Sequence, residues 1–309
     1  MKNGLASTVI ATFSLLILIG CSDDARPAAI SSVSPVPDPP SSSSSAIVNS
    51  RIDSVSFHST ALNRDMSLSV YLPPAYSPDA RYPVIYLLYG YGGTHDSWFT
   101  YLHIDDVANR LLQEDRINPV IIVSPDYGNS FGVNTKPGEG EDPGGVSIGP
   151  YEDYLIQDVI SYVDSHYSTQ ASRSGRYIGG ASMGGYASLY LGFTYPDLFG
   201  KIGAHSAALW NYTSTDLFTD QRDWLYANEA LRSARDPFKL AASGKLADVD
   251  IYLDAGEGDA LAEKDYKLYE VLRTMNVDAQ WVPGPGGHDA AYWSGQLEHY
   301  LLFYAGKTP

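Results

Sequence analysis

Five short apolar runs, separated by longer stretches of helical spacing, constrain this chain more than any other feature. They are Val84 to Leu88, Val120 to Val123, Tyr177-Ile178, Ile202 to Ala204 and Val249 to Leu253. Strands apolar on both faces belong inside a parallel sheet that is covered on both sides. Between the runs, Tyr154, Ile156, Val159, Ile160 and Val163 recur at helical spacing, as do Leu268, Val271, Leu272 and Met275. Alternating strands and helices specify an α/β fold with a mostly parallel central sheet and helices on both faces. The segment Met66 to Leu72 alternates and adds a strand with one wet face, stopped by Pro73-Pro74. Ligands of such sheets gather beyond the carboxyl ends of the strands, so reactive side chains are sought on the loops there.

One of those loops has a distinctive composition. Gly180-Ala181-Ser182-Met183-Gly184 follows the run at Tyr177-Ile178 and opens a helical stretch, Tyr186 to Tyr195. Glycines at both ends of the pentapeptide let a strand turn sharply into a helix, which lifts the serine hydroxyl clear of the sheet. The pattern alone is weak, since an ordinary glycine-rich turn can carry it. The strand–turn–helix setting and the flanking Gly179 and Gly185 point to a nucleophile elbow with Ser182 as nucleophile.

A serine hydroxyl needs a base to take its proton. Among seven histidines, His58 precedes the expected sheet, His95 and His103 fall early, His166 ends a helical pattern and His299 falls in the final helix. His288 stands apart, on the loop Pro283-Gly-Pro-Gly-Gly-His288-Asp289 between a strand-like segment, Asp278 to Val282, and the last helix. It is the candidate base. The acid is expected between Ser182 and His288 in the chain, on the turn Asp254-Ala-Gly-Glu257-Gly-Asp259. Asp259, beyond the turn and ahead of a helix, is favoured as catalytic acid; Asp254 and Glu257 remain alternatives. Acyl transfer further requires two N–H donors at the developing oxyanion. The N–H of Met183 is one candidate. The other is the N–H of Tyr91, in the loop Tyr89-Gly-Tyr91-Gly-Gly93 after the first parallel strand.

These blocks resemble the esterase D-like esterase family of the α/β-hydrolase superfamily, which includes feruloyl esterases, enterochelin esterases and mycolyltransferases. The stretch Tyr82 to Gly93, the block Gly180 to Gly185, the turn Gly256-x-x-Asp259 and Gly286-Gly-His288-Asp-x-x-x-Trp293 carry the resemblance, over about Ser54 to Tyr304. It implies an α/β-hydrolase fold, the triad Ser182, Asp259 and His288, and an oxyanion hole formed by Tyr91 and Met183. Where many members have His, this chain has Tyr89, expected to support the loop. The implied activity is hydrolysis of carboxylic esters through an acyl-enzyme, on feruloyl or acetyl esters of carbohydrates or on short-chain esters. Acyl transfer of the mycolyltransferase type is the enzymatic alternative, and a non-catalytic carbohydrate-binding surface protein the alternative from another class.

Two segments are expected to shape the pocket: the acidic, glycine-rich stretch from Tyr127 to Pro150, and the aromatic stretch from Ala207 to Tyr226. Tyr127 and Trp210 are the candidate substrate-binding residues. Glu139, Glu141 and Asp142 match no calcium-loop spacing and read as a solvated acidic loop, so neither metal nor cofactor is expected.

The N-terminus bears on location. Lys2, an apolar run from Leu5 to Ile19 and the sequence Leu18-Ile-Gly-Cys21 resemble a bacterial lipoprotein signal (residues 1–20) with Cys21, the only cysteine, as the lipidated residue. Residues 21–50, rich in Ser and Pro, read as a disordered tether. Residues 51–309 then form a single catalytic domain. The expected location is extracytoplasmic, anchored by lipid to a bacterial membrane at the outer membrane or cell surface. A net charge of −16 argues against nucleic acid as a partner.

Overall fold

The apolar runs become strands that are buried except at the first residues of two of them, Lys201 and Asp250. The computed structural model describes residues 49–140, 142–242 and 246–307. Its eight strands form one sheet: β1 (Arg51–Ser59), β2 (Arg64–Leu72), β3 (Val84–Leu88), β4 (Ile121–Pro125), β5 (Arg176–Ala181), β6 (Lys201–His205), β7 (Asp250–Asp254) and β8 (Ala279–Trp281). Their order across the sheet is β1-β2-β4-β3-β5-β6-β7-β8. The pairs β1–β2 and β2–β4 are antiparallel, and every pair from β4 to β8 is parallel. Every residue of β3, β4 and β5 is buried, as expected of strands with both faces covered.

Strand β6 shows the two layers directly, because successive residues point to opposite faces. Ile202 packs against Gly192 of helix α1 (Met183–Thr194). The next residue, Gly203, faces Tyr304 of the long C-terminal helix (Ala290–Ala305). Gly203 lies beside Gly179 in the β5–β6 register, and a methyl on either would collide with the Tyr304 hydroxyl. Gly179 therefore serves the packing of the last helix rather than the turn at Ser182.

Two features differ from the expectations above. His58 does not precede the sheet: it lies inside β1, an edge strand whose pattern of exposed and half-buried residues leaves no apolar run. The helix expected around Tyr154 to Val163 is present, but Tyr154–Val159 winds as a π-helix between Tyr151–Asp153 and Ile160–His166. Within it, Asp158 accepts hydrogen bonds from the Ser59 hydroxyl at 2.6 Å and the Ala61 N–H at 2.9 Å, tying this layer to the β1–β2 turn. The residues of the expected export signal and of nearly all the tether, Cys21 included, lie outside the described residues, as does Glu141.

Candidate active site

Three parallel strands deliver three side chains to one point. Ser182 follows β5, Asp259 follows β7 and His288 follows β8, all at carboxyl ends. Ser182 has φ 56° and ψ −115°, a sparsely populated conformation for a residue with a Cβ, costing on the order of 1–3 kcal/mol. Neighbouring backbone holds it there. Its N–H donates to His205 O at 2.9 Å, and its carbonyl accepts from Tyr186 and Ala208 N–H at 3.0 Å each. The flanking glycines have a steric reason: a methyl on Gly180 would sit 2.5 Å from the Gly184 carbonyl, and one on Gly184 would run into the Leu88 carbonyl of β3. Gly184→Ala should therefore lower stability by about 2–3 kcal/mol, because it overpacks against backbone that cannot swing away. Gly295→Ala is the control: it is helical, has open space around its Cβ position, and should raise stability by about 0.5–1 kcal/mol. Urea midpoints of the two variants check both signs.

The loops after β7 and β8 are zipped together. Glu257 N–H donates to Gly284 O and Gly258 N–H to Gly286 O, each at 2.8 Å. A methyl on Gly256 would lie 2.5 Å from Gly286 O, which is why this crossing is built from glycine. The zipper brings Asp259 Oδ2 to 2.9 Å from His288 Nδ1, while His288 Nε2 stands 2.9 Å from Ser182 Oγ. A carboxylate only accepts, so Nδ1 carries the proton and Nε2 is left to accept from the serine hydroxyl. The other Asp259 oxygen accepts from Leu261 N–H at 2.8 Å. Burial alone would push the Asp259 carboxyl up, but the His288 ring and the Leu261 N–H outweigh it and hold the group below the usual carboxylate range. Asp265, wholly buried on helix α2 (Ala262–Thr274), is driven the other way by burial and by the charges of Asp259 and Asp254.

The competing carboxylates are elsewhere. Glu257 is exposed. Asp254 is fully buried, with Oδ1 2.6 Å from His205 Nδ1 and Oδ2 accepting from the Tyr292 and Tyr300 hydroxyls at 2.8 and 2.9 Å. His205 stacks on Tyr300 with ring centroids 3.6 Å apart. This second His–Asp pair was not apparent from the sequence, where His205 is simply the polar end of an apolar run. It braces β6, β7 and the last helix and makes no contact with the Ser182 hydroxyl. Of the other histidines, His58 pairs with Asp65, His95 with Ser69, and His166 with its own helix.

The loop from Tyr89 to Gly93 passes close over Ser182, with the Cβ position of Gly90 3.5 Å from the serine Cβ. Among the described residues, neither the Tyr91 N–H nor the Met183 N–H has a hydrogen-bond acceptor. The loop is braced from behind. Tyr89 donates to Asp126 at 2.5 Å and accepts from Tyr127 N–H at 2.8 Å, and the Tyr127 hydroxyl donates to Tyr89 O at 2.5 Å. Gly92 N–H donates to Asn129 Oδ1 at 2.7 Å. Tyr127 is thus not a pocket residue: it is fully buried, lines neither cavity beside Ser182, and supports the loop. Glu139 is not a free carboxylate either, since it pairs with the buried Arg235 at 2.8 Å.

Two cavities flank Ser182. One of about 480 Å³ is lined by the Tyr89–Gly93 loop, Trp98, Tyr101, His288 and Trp293. The other, of about 260 Å³, is lined by Met183, Ala208, Phe131, Trp210 and Gln221. Ser182, Tyr91 and Phe218 line both. Trp210 is therefore at a cavity wall, although its indole is almost wholly buried and donates to Leu217 O at 2.7 Å. Trp224 belongs to the core.

A serine, a histidine and an aspartate joined in one hydrogen-bonded line above a mostly parallel sheet define an α/β-hydrolase. The sequence model of the family described as "Putative esterase" matches residues 59–304, and the chain belongs to that family. An acetyl esterase of Caldicellulosiruptor saccharolyticus is 26% identical over 264 residues, covering 78% of this chain and 92% of that protein. An endo-1,4-beta-xylanase/feruloyl esterase of Xylanibacter ruminicola is 29% identical over 164 residues, covering 51% of this chain and 22% of that protein. A solved ferulic acid esterase superposes with a TM-score of 0.69 at 26% identity, covering 83% of this chain and 98% of that one. The chain is an ester hydrolase of the serine-hydrolase type.

Proposed function

We propose that Ser182 attacks the ester carbonyl, with His288 as general base and Asp259 fixing its tautomer and stabilising the imidazolium. The tetrahedral oxyanion then sits between the free N–H groups of Tyr91 and Met183, and His288 returns its proton to the leaving alcohol. Water repeats the sequence on the acyl-enzyme. The unbroken chain of hydrogen bonds from Asp259 through His288 to Ser182 is the observation that carries this assignment.

The substrate is proposed to be an aromatic acyl ester of a carbohydrate, of the feruloyl kind. The smaller cavity beside Met183 supports this, because Tyr91, Phe131, Trp210 and Phe218 surround it and Gln221 supplies a polar end. A relative named as a feruloyl esterase and a solved ferulic acid esterase are consistent with it. Purified protein should be assayed on methyl ferulate, acetyl-xylan and p-nitrophenyl acetate. The highest kcat/KM is expected for the ferulate; turnover of acetyl esters with none of ferulate would overturn the aromatic assignment.

The proposed roles also fix a pH dependence. His288 must be neutral to accept the serine proton, whereas its ring and the Leu261 N–H hold the Asp259 carboxyl below the usual carboxylate range. Protonating the general base removes its function, so kcat/KM should decline on the acid side along a limb of one proton and hold on the alkaline side. Two protons on the acid limb, or activity removed by EDTA, would contradict the assignment.

For location, the proposal is a lipid anchor at Cys21, resting on the sequence Leu18-Ile-Gly-Cys21 and the Ser/Pro-rich stretch after it. The full-length protein should partition into detergent, and Cys21→Ser should abolish metabolic labelling with palmitate. Mature protein recovered from the medium with an N-terminus beyond Cys21 would count against anchoring.

A further inference from the structure

The two cavities meet at Ser182, and the roles assigned to them rest on the proposed triad chemistry. His288 must hand its proton to the leaving oxygen, so the alcohol departs on the side that His288 lines, into the larger cavity with Trp98, Tyr101 and Trp293. The oxyanion occupies the Tyr91 and Met183 N–H groups. The acyl chain is left with the other side, the cavity of about 260 Å³ beyond Met183 and Ala208.

Three residues line both spaces. Ser182 is the reacting group and Tyr91 supplies a backbone donor, whereas Phe218 belongs to neither role. It projects from the loop after β6 and stands at the N-cap of a short helix, Thr219–Leu225, with a left-handed φ of 54°. For a bulky side chain that conformation is an outlier, held only when its surroundings determine it. They do so here. Lys264, almost wholly buried on α2, donates to Thr215 O at 2.9 Å and to the Thr215 hydroxyl at 3.2 Å. Trp210 Nε1 holds Leu217 O at 2.7 Å, one residue before Phe218. Asp216, between these ties, accepts from Tyr212 N–H at 2.9 Å and from Arg222 at 3.1 Å. The loop is thus held at three successive residues, Thr215, Asp216 and Leu217, directly before Phe218, which is itself about half exposed, an exposure that a core role does not explain.

We infer that Phe218 is the specificity-determining partition of this enzyme, closing the acyl cavity off from the leaving-group cavity and thereby limiting acyl size. Removing the ring joins the two spaces above Ser182, and an acyl chain too long for the smaller cavity gains room to extend. Because half of the ring faces solvent, its removal takes little from the core.

The test keeps the leaving group constant. Steady-state kcat/KM is measured for p-nitrophenyl acetate and p-nitrophenyl decanoate with wild type, Phe218→Ala and Phe218→Trp. The decanoate-to-acetate ratio should rise at least about tenfold in Phe218→Ala and fall in Phe218→Trp, in line with the discrimination a hydrophobic pocket gains or loses with size. A purely structural role would lower both rates together and leave the ratio in place. Ratios within about twofold of wild type in both variants would overturn the partition. No turnover of either ester by wild type would instead overturn the hydrolase mechanism on which the partition rests.

Discussion

Ser182→Ala should lower kcat for ester hydrolysis by roughly a thousandfold or more while leaving the melting temperature near that of wild type. The size of the loss follows from the role: without the oxygen no acyl-enzyme forms, and only binding and the two N–H donors remain to assist water. The silence in stability follows from the contacts. The strained backbone at residue 182 is held by main-chain bonds from His205, Tyr186 and Ala208, all retained in the variant. The serine hydroxyl has one partner, His288 Nε2, whose ring keeps 28% of its side-chain surface exposed and so can turn to water. Stopped-flow or steady-state assays on any accepted ester, with thermal melts beside them, check both halves. A variant that keeps a tenth of the activity would place the nucleophile elsewhere.

The second large effect separates three neighbouring carboxylates. Asp259→Asn should cost about a thousand- to ten-thousandfold in kcat, because an amide facing Nδ1 can donate as well as accept and so admits the wrong imidazole tautomer. Glu257→Gln should be close to wild type, since that side chain faces water. Asp254→Asn is expected to act mainly on stability. It places an NH2 group where the Tyr292 and Tyr300 hydroxyls or the His205 ring now find a carboxylate oxygen, and disturbing such a buried network costs about 1–3 kcal/mol per unsatisfied group. Its kcat should fall far less than that of Asp259→Asn, because the line from Asp259 to Ser182 is untouched. The reverse ranking would mean that the Asp254–His205 pair, and not Asp259–His288, does the chemistry.

How legible these features are in the sequence depends on where each signal resides. Strands β3 to β7 announce themselves because both faces are buried over most of their length, so short, nearly continuous apolar runs mark them. Strand β1 does not: it lies at the sheet edge, and its nine residues show no buried face until Ser59. Ser182 and His288 stand out because the glycines around them answer local steric demands, the Leu88 carbonyl against Gly184 and the Gly286 carbonyl against Gly256. The carboxylate is harder to choose. Asp254, Glu257 and Asp259 sit within six residues, and only the crossing of the β7 and β8 loops, a contact between distant parts of the chain, decides which one faces His288. Tyr127 shows the limit most clearly. An aromatic residue directly after a strand's carboxyl end suggests a pocket wall, but its hydroxyl is directed at Tyr89 O and its ring is buried beneath the loop. Periodicity carries no information about that direction. For the same reason the aromatic stretch after β6 divides three ways: Trp224 into the core, Trp210 to a cavity wall and Phe218 to the partition between cavities.

The most direct test of the central claim is covalent capture of the activated serine. The full-length protein is treated with a fluorophosphonate at neutral pH and digested, and the adduct is located by mass spectrometry. A hydroxyl becomes reactive toward such a reagent only when a base withdraws its proton and donors stabilise the oxyanion beside it. The expected result is a single stoichiometric adduct on Ser182, lost in Ser182→Ala and slowed severely in His288→Ala, with EDTA making no difference. An unlabelled Ser182 in folded protein that still hydrolyses esters, or an adduct on another residue, would contradict the triad.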